Sequence, residues 1–202
     1  MNATWYNTPV GTTEYKITIK GSKFIGYCSS ATDEVAAMEF IKARSRQHHN
    51  ATHNCWAYRV GDPAAPSERS SDEGEPSGTA GRPMMEQLVR FNLIDVVLVV
   101  SRWFGGTKLG RGGLIRAYSD CASGTLKLLE TRIRIPSVVM KVECGYDLVG
   151  LVERTAAGCS GHVESGDYLE NVCLTVRLPL SSKEKFRKVV IEESGGKVRV
   201  NS

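Results

Sequence analysis

The sequence predicts an α+β protein built from two domains. Its 202 residues suffice for one large domain or two small ones, and 41% of them are hydrophobic, which is enough to form a core. Stretches of strand-like alternation and stretches of helical periodicity follow one another along the chain. The pattern restarts around Pro136, after a predicted helix that ends at Leu129. We therefore expect a first domain over residues 1–134 and a second over residues 135–202.

The first domain begins with a predicted hairpin over residues 15–28, which turns at Gly21-Ser22. A helix is predicted to start at Asp33, because apolar residues then recur at helical spacing and acidic residues suit a first helical turn. Residues 51–61 alternate as a strand does. This places His53 and Cys55 on one face and Trp56 and Tyr58 on the other, and we expect the aromatic face to pack against a helix.

The second part of this domain contains a long predicted loop, a helix, a strand and another helix. Residues 62–81 have no periodicity. Pro83 suits the first turn of a helix. The β-branched run Val96 to Val100 is typical of a buried central strand, and residues 114–129 read as a helix.

The second domain has the element order β-α-β-β-α-β, which is that of a ferredoxin-like unit. Asp147 is predicted to cap its first helix, and Ser181-Ser182 its second. Gly195-Gly196 is predicted to end the second helix before a last strand. The two middle strands turn near Gly166-Asp167.

Composition indicates a cytoplasmic protein without a membrane partner. The formal net charge is +4, which is only mildly basic. No run approaches the roughly 18 apolar residues of a membrane span, and the N-terminal residues lack the apolar core of a secretion signal. None of the six cysteines forms a C-x-x-C pair, so we expect them to be reduced.

Two glycine-rich loops of opposite charge are the main functional signal. The basic loop, residues 102–113 (RWFGGTKLGRGG), lies between a strand and a helix, where backbone amides and cations suit a phosphate or carboxylate. It matches neither the Walker A motif nor the dinucleotide fingerprint, so no nucleotide cofactor is predicted. The residues predicted to bind an anion or RNA are Arg102, Gly105, Gly106, Lys108, Gly110, Arg111, Gly112, Gly113 and Arg116.

The acidic loop, residues 72–83 (DEGEPSGTAGRP), is the second candidate surface. Its carboxylates suit a hard cation, but their spacing matches no cation motif, so no metal is predicted. A zinc site at His48, His49, His53 and Cys55 lacks a second ligand pair. A thiol nucleophile at Cys55 with His53 as its base needs a depressed thiol pKa. The predicted binding residues of this region are His53, Asp72, Glu73, Glu75, Ser77, Gly78 and Thr79.

A purely structural explanation exists for both loops. Glycines make tight turns, and charged loop residues are often simply solvated.

The blocks HNCWAY, SSDEGEPSGTAGRPM and VVSRWFGGTKLGRGGLIRAY resemble the YigZ/IMPACT family. The resemblance is close over about residues 15–130 and weaker beyond. It implies an N-terminal β/α domain similar to domain 2 of ribosomal protein S5 and a ferredoxin-like C-terminal domain. It also implies a link to translation, because eukaryotic members are translational regulators that bind a ribosome-associated protein. No catalytic role comes with the matched residues.

We therefore expect a non-enzymatic, translation-linked regulator that binds RNA, the ribosome or a translation-regulatory protein through the two loops. The alternative is a hydrolase-type enzyme, with Glu73 or His53 as base and with Lys108 and Arg111 holding an anionic substrate. A protein-docking module with an apolar patch near Trp103-Phe104 is a third interpretation.

Overall fold

The computed structural model describes residues 5–201, and they form two compact units. One spans Tyr6–Arg134 and the other spans residues 135–201. Each unit has its own hydrophobic core and contains both helices and antiparallel strands. The predicted α+β class is therefore confirmed. Among the described residues, no helix has the length and apolar character needed to cross a membrane.

The first unit is built on a five-stranded antiparallel sheet. Its strands are β2 (Thr12–Ile19), β3 (Ser22–Ser30), β4 (His53–Val60), β5 (Ser67–Ser71) and β6 (Val96–Trp103), in the order β2-β3-β6-β4-β5. The predicted central strand thus lies in the middle of the sheet. A separate two-stranded ribbon pairs β1 (Tyr6–Pro9) with β7 (Thr131–Arg134).

Helices cover both faces of this sheet. On one face α1 (Glu34–Gln47) packs with Trp56, Tyr58, Val97 and Val99, and its N-terminus is capped by the side chain of Asp33. On the other face lie α2 (Gly81–Arg90) and α3 (Gly110–Lys127). Burial on both sides explains why β6 is a continuous apolar run. The expected packing of the Trp56 and Tyr58 face against a helix is confirmed.

The second unit has the strand and helix order of a ferredoxin-like fold. Its elements are β8 (Ser137–Cys144), α4 (Val149–Gly158), β9 (His162–Tyr168), β10 (Val172–Pro179), α5 (Lys183–Glu193) and β11 (Arg199–Asn201). The sheet is antiparallel, with the order β11-β8-β10-β9. The inward residues of β10 alternate strictly with partly exposed ones, so one face of the sheet meets the core.

Several local predictions were wrong. Residues 62–81 contain strand β5, whose polar sequence SERSS carries no apolar signal. Helix α3 begins at Gly110 rather than Leu114, so part of the predicted basic loop is helical. Asp147 lies within a short 3-10 turn before α4, and Ser182 makes no side-chain capping bond at α5. The first hairpin turns at Lys20-Gly21, one residue earlier than predicted.

Candidate functional site

The two glycine-rich loops face each other across one cleft. Arg111 extends from the start of α3, and its Nη2 donates a hydrogen bond of 2.9 Å to the carbonyl oxygen of Ser77 in the acidic loop. The cleft has a volume of about 340 Å³. Its lining residues come from the end of β6 and the start of β4 as well as from both loops: Thr52, His53, Glu75, Pro76, Arg102, Phe104, Lys108, Leu109, Gly110, Arg111 and Leu114.

The strand order explains why loops distant in sequence come together. β4 and β6 are antiparallel neighbours, and His53 at the start of β4 pairs with Arg102 near the end of β6. The basic loop begins at this end of the sheet because it follows β6. The acidic loop begins at the same end because β5 runs antiparallel to β4, which places the end of β5 beside the start of β4.

The cleft floor holds a buried ion pair. Arg102 Nη1 donates to Glu75 Oε1 at 2.6 Å, and the two side chains are only 6% and 3% exposed. The hydroxyl of Tyr118 donates to the same oxygen at 2.9 Å, and burial raises the pKa of Tyr118, which keeps it a donor. Glu75 thus neutralises the charge of Arg102, and contact of Arg102 with a phosphate stays a prediction.

Asp72 organises the acidic loop from within. Its Oδ2 accepts from Gly78 N at 2.7 Å, and its Oδ1 accepts from the backbone amides of Ala80 at 2.8 Å and Gly81 at 2.9 Å. Burial acts to raise the pKa of Asp72, but the amide donors outweigh it, so this pKa lies below the usual aspartate value. Asp72 is thus an internal anchor that also caps the start of α2.

Glu73 and Thr79 also form hydrogen bonds that hold the acidic loop in place. The Glu73 carboxylate accepts from Trp56 Nε1 at 3.1 Å, and the residue adopts a positive φ of 41°. Thr79 is fully buried and donates its hydroxyl to the Pro76 carbonyl at 2.6 Å. Glu73 is absent from the residues that line the cleft. Among the carboxylates of the acidic loop, Glu75 holds the position in the floor, and the role of Glu73 as a base stays a prediction.

His53 lies at the cleft wall in a defined tautomer. Its Nδ1 is 2.9 Å from the Glu73 carbonyl oxygen, which can only accept, so Nδ1 carries the proton. The lone pair of Nε2 then remains free, with Nε2 3.9 Å from Glu75 Oε2.

Cys55 is unsuited to act as a nucleophile. Its thiol is buried, and its one S–H can donate either to the Asp72 carbonyl at 2.9 Å or to the Tyr118 hydroxyl at 3.3 Å. Burial raises the pKa of this thiol, which opposes formation of the thiolate. Across residues 5–201, no group of three or more His, Cys, Asp or Glu residues is arranged to hold a metal ion.

Glycine is required where the basic loop meets the first hairpin. A Cβ on Gly105 would overlap the backbone of Gly21, which has a φ of +81° in the turn between β2 and β3. The Gly105 amide donates to Ser22 Oγ at 3.2 Å. Gly106, by contrast, faces open space with a positive φ. The first half of the loop is therefore fixed to the sheet.

The second half of the basic loop and the start of α3 present exposed cations. Lys108, Arg111 and Arg116 are exposed, and none of them forms an ion pair within the described part of the chain. Gly110, Gly112 and Gly113 form the first turn of α3, which contains no acidic residue and has no side-chain cap. A helix N-terminus carries roughly half a positive charge, so this end of α3 favours an anion.

The predicted cations do not all line the cleft. Lys108 and Arg111 do, whereas Arg116 lines a neighbouring depression with Lys20. The sequence did not indicate Leu109 and Leu114 as lining residues or Tyr118 as part of the floor network, and it indicated Phe104 only as part of an apolar docking patch. The only sequence signal for Leu109 and Leu114 is that they are apolar residues beside the glycines.

The chain matches two family models. Residues 20–126 match the Impact N-terminal domain, and residues 142–197 match a domain of unknown function designated DUF1949.

Relatives and a solved structure agree with these matches. The IMPACT family member YvyE of Bacillus subtilis is 38% identical over 91% of this chain and 84% of its own length. The IMPACT family member YigZ of Escherichia coli is 32% identical over 90% of both chains. A crystal structure described as a hypothetical protein is similar with a TM-score of 0.66 and 30% identity, covering 98% of this chain and 97% of the other. The chain therefore belongs to the IMPACT family.

Proposed function

We propose that this protein is a cytoplasmic, translation-linked RNA-binding protein whose binding face is the amino end of α3 with Lys108 and Arg111. The observation that carries the proposal is the unequal use of charge around the cleft. Asp72 accepts from backbone amides and Glu75 is paired with Arg102, whereas Lys108 and Arg111 remain exposed beside the first turn of α3. The surface at this point therefore presents net positive charge to a ligand despite its acidic neighbour.

RNA fits this surface because phosphate groups bind both to cations and to backbone amides at helix N-termini. The connection to translation rests on membership of the IMPACT family, whose eukaryotic members regulate translation as the resemblance implies. No enzymatic step is needed for such a role.

The test is to titrate the protein with ribosomes and with structured RNA at increasing salt. Each lost phosphate contact lowers the slope of log affinity against log salt by about 0.7 to 0.9. Lys108→Ala combined with Arg111→Ala is expected to weaken binding and to lower the slope by about 1.4 to 1.8.

The matched control combines Lys42→Ala with Arg46→Ala. It removes the same charge from exposed positions on α1, which packs on the opposite face of the sheet. This control is expected to leave the slope unchanged. Equal effects of the two double variants, or affinity indifferent to salt, would refute the assignment. Capture of a partner from lysate that survives RNase would instead favour the protein-docking interpretation.

His53 favours a second candidate function, hydrolysis of an anionic substrate in the same cleft. Its free Nε2 could accept a proton from an attacking water, while Lys108 and Arg111 hold the anion. The check is a search for cleavage products after incubation with RNA and with phosphate esters. Turnover that is lost in His53→Asn would support an enzyme, and the absence of products would leave the binding function alone.

A further inference from the structure

The walls of the cleft are apolar above a polar floor. Pro76 comes from the acidic loop, and Phe104, Leu109 and Leu114 come from the basic loop and α3. Phe104 is 48% exposed although it is a large aromatic side chain. A cleft of about 340 Å³ is at the small end of ligand pockets, so it suits a single planar group rather than a duplex.

The floor contains polar atoms without partners. Glu75 Oε1 accepts from both Arg102 and Tyr118, but no described residue donates a hydrogen bond to Oε2. His53 Nε2 lies 3.9 Å from Oε2, which is beyond hydrogen-bond range. The Nε of Arg102 is buried and also lacks a partner. A 97% buried carboxylate with an unused oxygen is the feature that points to an N–H donor on a ligand.

The rim of the cleft favours an anion, whereas the floor offers a hydrogen-bond acceptor. Lys108, Gly110 and Arg111 line it, and the first turn of α3 supplies no acidic side chain. These groups favour an anion at the mouth. Apolar walls, a hydrogen-bond acceptor in the floor and cations at the mouth together define a ligand with three matching parts.

We propose that the cleft binds one nucleotide of single-stranded nucleic acid or a free nucleoside 5′-phosphate. The base lies against Phe104 and the aliphatic walls, with an N–H of its edge directed to Glu75 Oε2. The phosphate lies at the mouth, against Lys108, Arg111 and the start of α3. This inference rests on the proposed RNA-binding function and narrows it from phosphate backbone contact to capture of an unstacked base.

The experiment is calorimetric titration of the full chain with the four nucleoside 5′-monophosphates, the matching nucleosides and inorganic phosphate. At least one monophosphate is expected to bind tenfold or more tightly than its nucleoside or phosphate alone, because only the monophosphate engages floor, walls and mouth together. No preference over inorganic phosphate would overturn the proposal.

Two variants test which residue contacts the base of the ligand and which contacts its phosphate. Base stacking contributes about 1 to 3 kcal/mol per base, so Phe104→Ala is expected to weaken monophosphate binding about fivefold or more and to leave phosphate binding unchanged. Arg111→Ala is expected to weaken both. Leu128→Ala and Lys127→Ala are the controls, since these exposed residues lie at the other end of α3, outside the cleft. Loss of binding in the controls as well would overturn the assignment.

The source of the nucleotide is decided by competition with single-stranded RNA and with a duplex of the same sequence. Stronger competition by the single strand identifies RNA, and equal strength of mononucleotide and single strand identifies a free nucleotide; both outcomes support the cleft. Salt-dependent ribosome binding that is unaffected by Phe104→Ala, with no mononucleotide binding, would overturn this inference and leave the proposed function standing. Absence of both ribosome binding and mononucleotide binding would refute this inference and the proposed function together.

Discussion

Helices α2 and α3 each follow one of the two glycine-rich loops, and the protein treats the positive ends of these helices differently. At α2, the Asp72 carboxylate accepts hydrogen bonds from the amides of Ala80 and Gly81. At α3, the cap position is Leu109, no acidic residue lies in the first turn, and Lys108 and Arg111 stand beside it. One helix end is satisfied by the protein's own acid, and the other concentrates positive charge.

This difference separates structural charge from charge that is available for binding. Both loops are rich in glycine and in charged residues, yet the acidic loop uses its carboxylates internally and the basic loop leaves most of its cations in solvent. Removing an acidic side chain should therefore reduce stability. Removing an exposed cation should reduce ligand binding and leave stability nearly unchanged.

The largest effect is expected at Glu75. Glu75→Ala leaves Arg102 as a buried charge without a partner, and we expect a loss of about 3 to 5 kcal/mol in the free energy of unfolding. Lys108→Ala, on the exposed side of the comparison, should change it by about 0.5 kcal/mol or less. Urea denaturation of both variants measures the difference.

A rescue variant tests whether the unpaired charge is the cause. Glu75→Leu combined with Arg102→Met removes both charges, and such replacements of buried ion pairs are often neutral or stabilising. The double variant should therefore be more stable than Glu75→Ala. If Glu75→Ala costs about as little as Lys108→Ala, the division between structural and available charge is wrong.

A smaller effect is expected from two glycines of the basic loop. Gly105→Ala places a methyl group against the Gly21 backbone and should cost about 1 to 3 kcal/mol or more. Gly112→Ala meets no heavy atom within 4 Å and lies in a helix, so it should stabilise the fold by up to about 1 kcal/mol. Thermal or urea unfolding of the two variants distinguishes them. Similar shifts would show that the loop is not divided into a fixed half and an open half.

The sequence predicted those parts of this region that depend on periodicity. The apolar run of β6 and the two faces of β4 follow from burial patterns, and the structure confirms both. The opposite charges of the two loops suggested that they meet, but no periodicity in the sequence required it. Their meeting depends on the pairing of β4 with β6, which sets His53 opposite Arg102 although the two residues lie far apart in the chain.

The partner of Arg102 could not be predicted for the same reason. Three carboxylates of the acidic loop were equivalent in the sequence, and only the fold selects Glu75 for the floor while turning Asp72 toward backbone amides and Glu73 toward Trp56. Strand β5 gave no signal because an exposed edge strand needs no apolar residues. Side-chain identity indicated the chemistry of the site, and tertiary pairing decided which residues are free to use it.

The smallest expected effect concerns Asp72 and its dependence on pH. Asp72→Asn keeps one acceptor oxygen but replaces the other with an amide that cannot accept from Gly78 N, so we expect a loss of about 1 to 2 kcal/mol at neutral pH. The folded pKa of Asp72 lies below that of an unfolded aspartate, about 3.9. Its stabilisation is therefore complete above about pH 5 and is lost as the pH falls through the folded pKa. Urea denaturation from neutral to acid pH should show that the free energies of unfolding of the wild type and Asp72→Asn converge in acid.

The control variant is Asp120→Asn, at an exposed position on α3, and its stability should differ little from that of the wild type at any pH. If the difference in the free energy of unfolding between the wild type and Asp72→Asn stays constant down to the lowest pH, the negative charge at the start of α2 does not stabilise the acidic loop. The contrast between the two helix ends would then have no electrostatic basis.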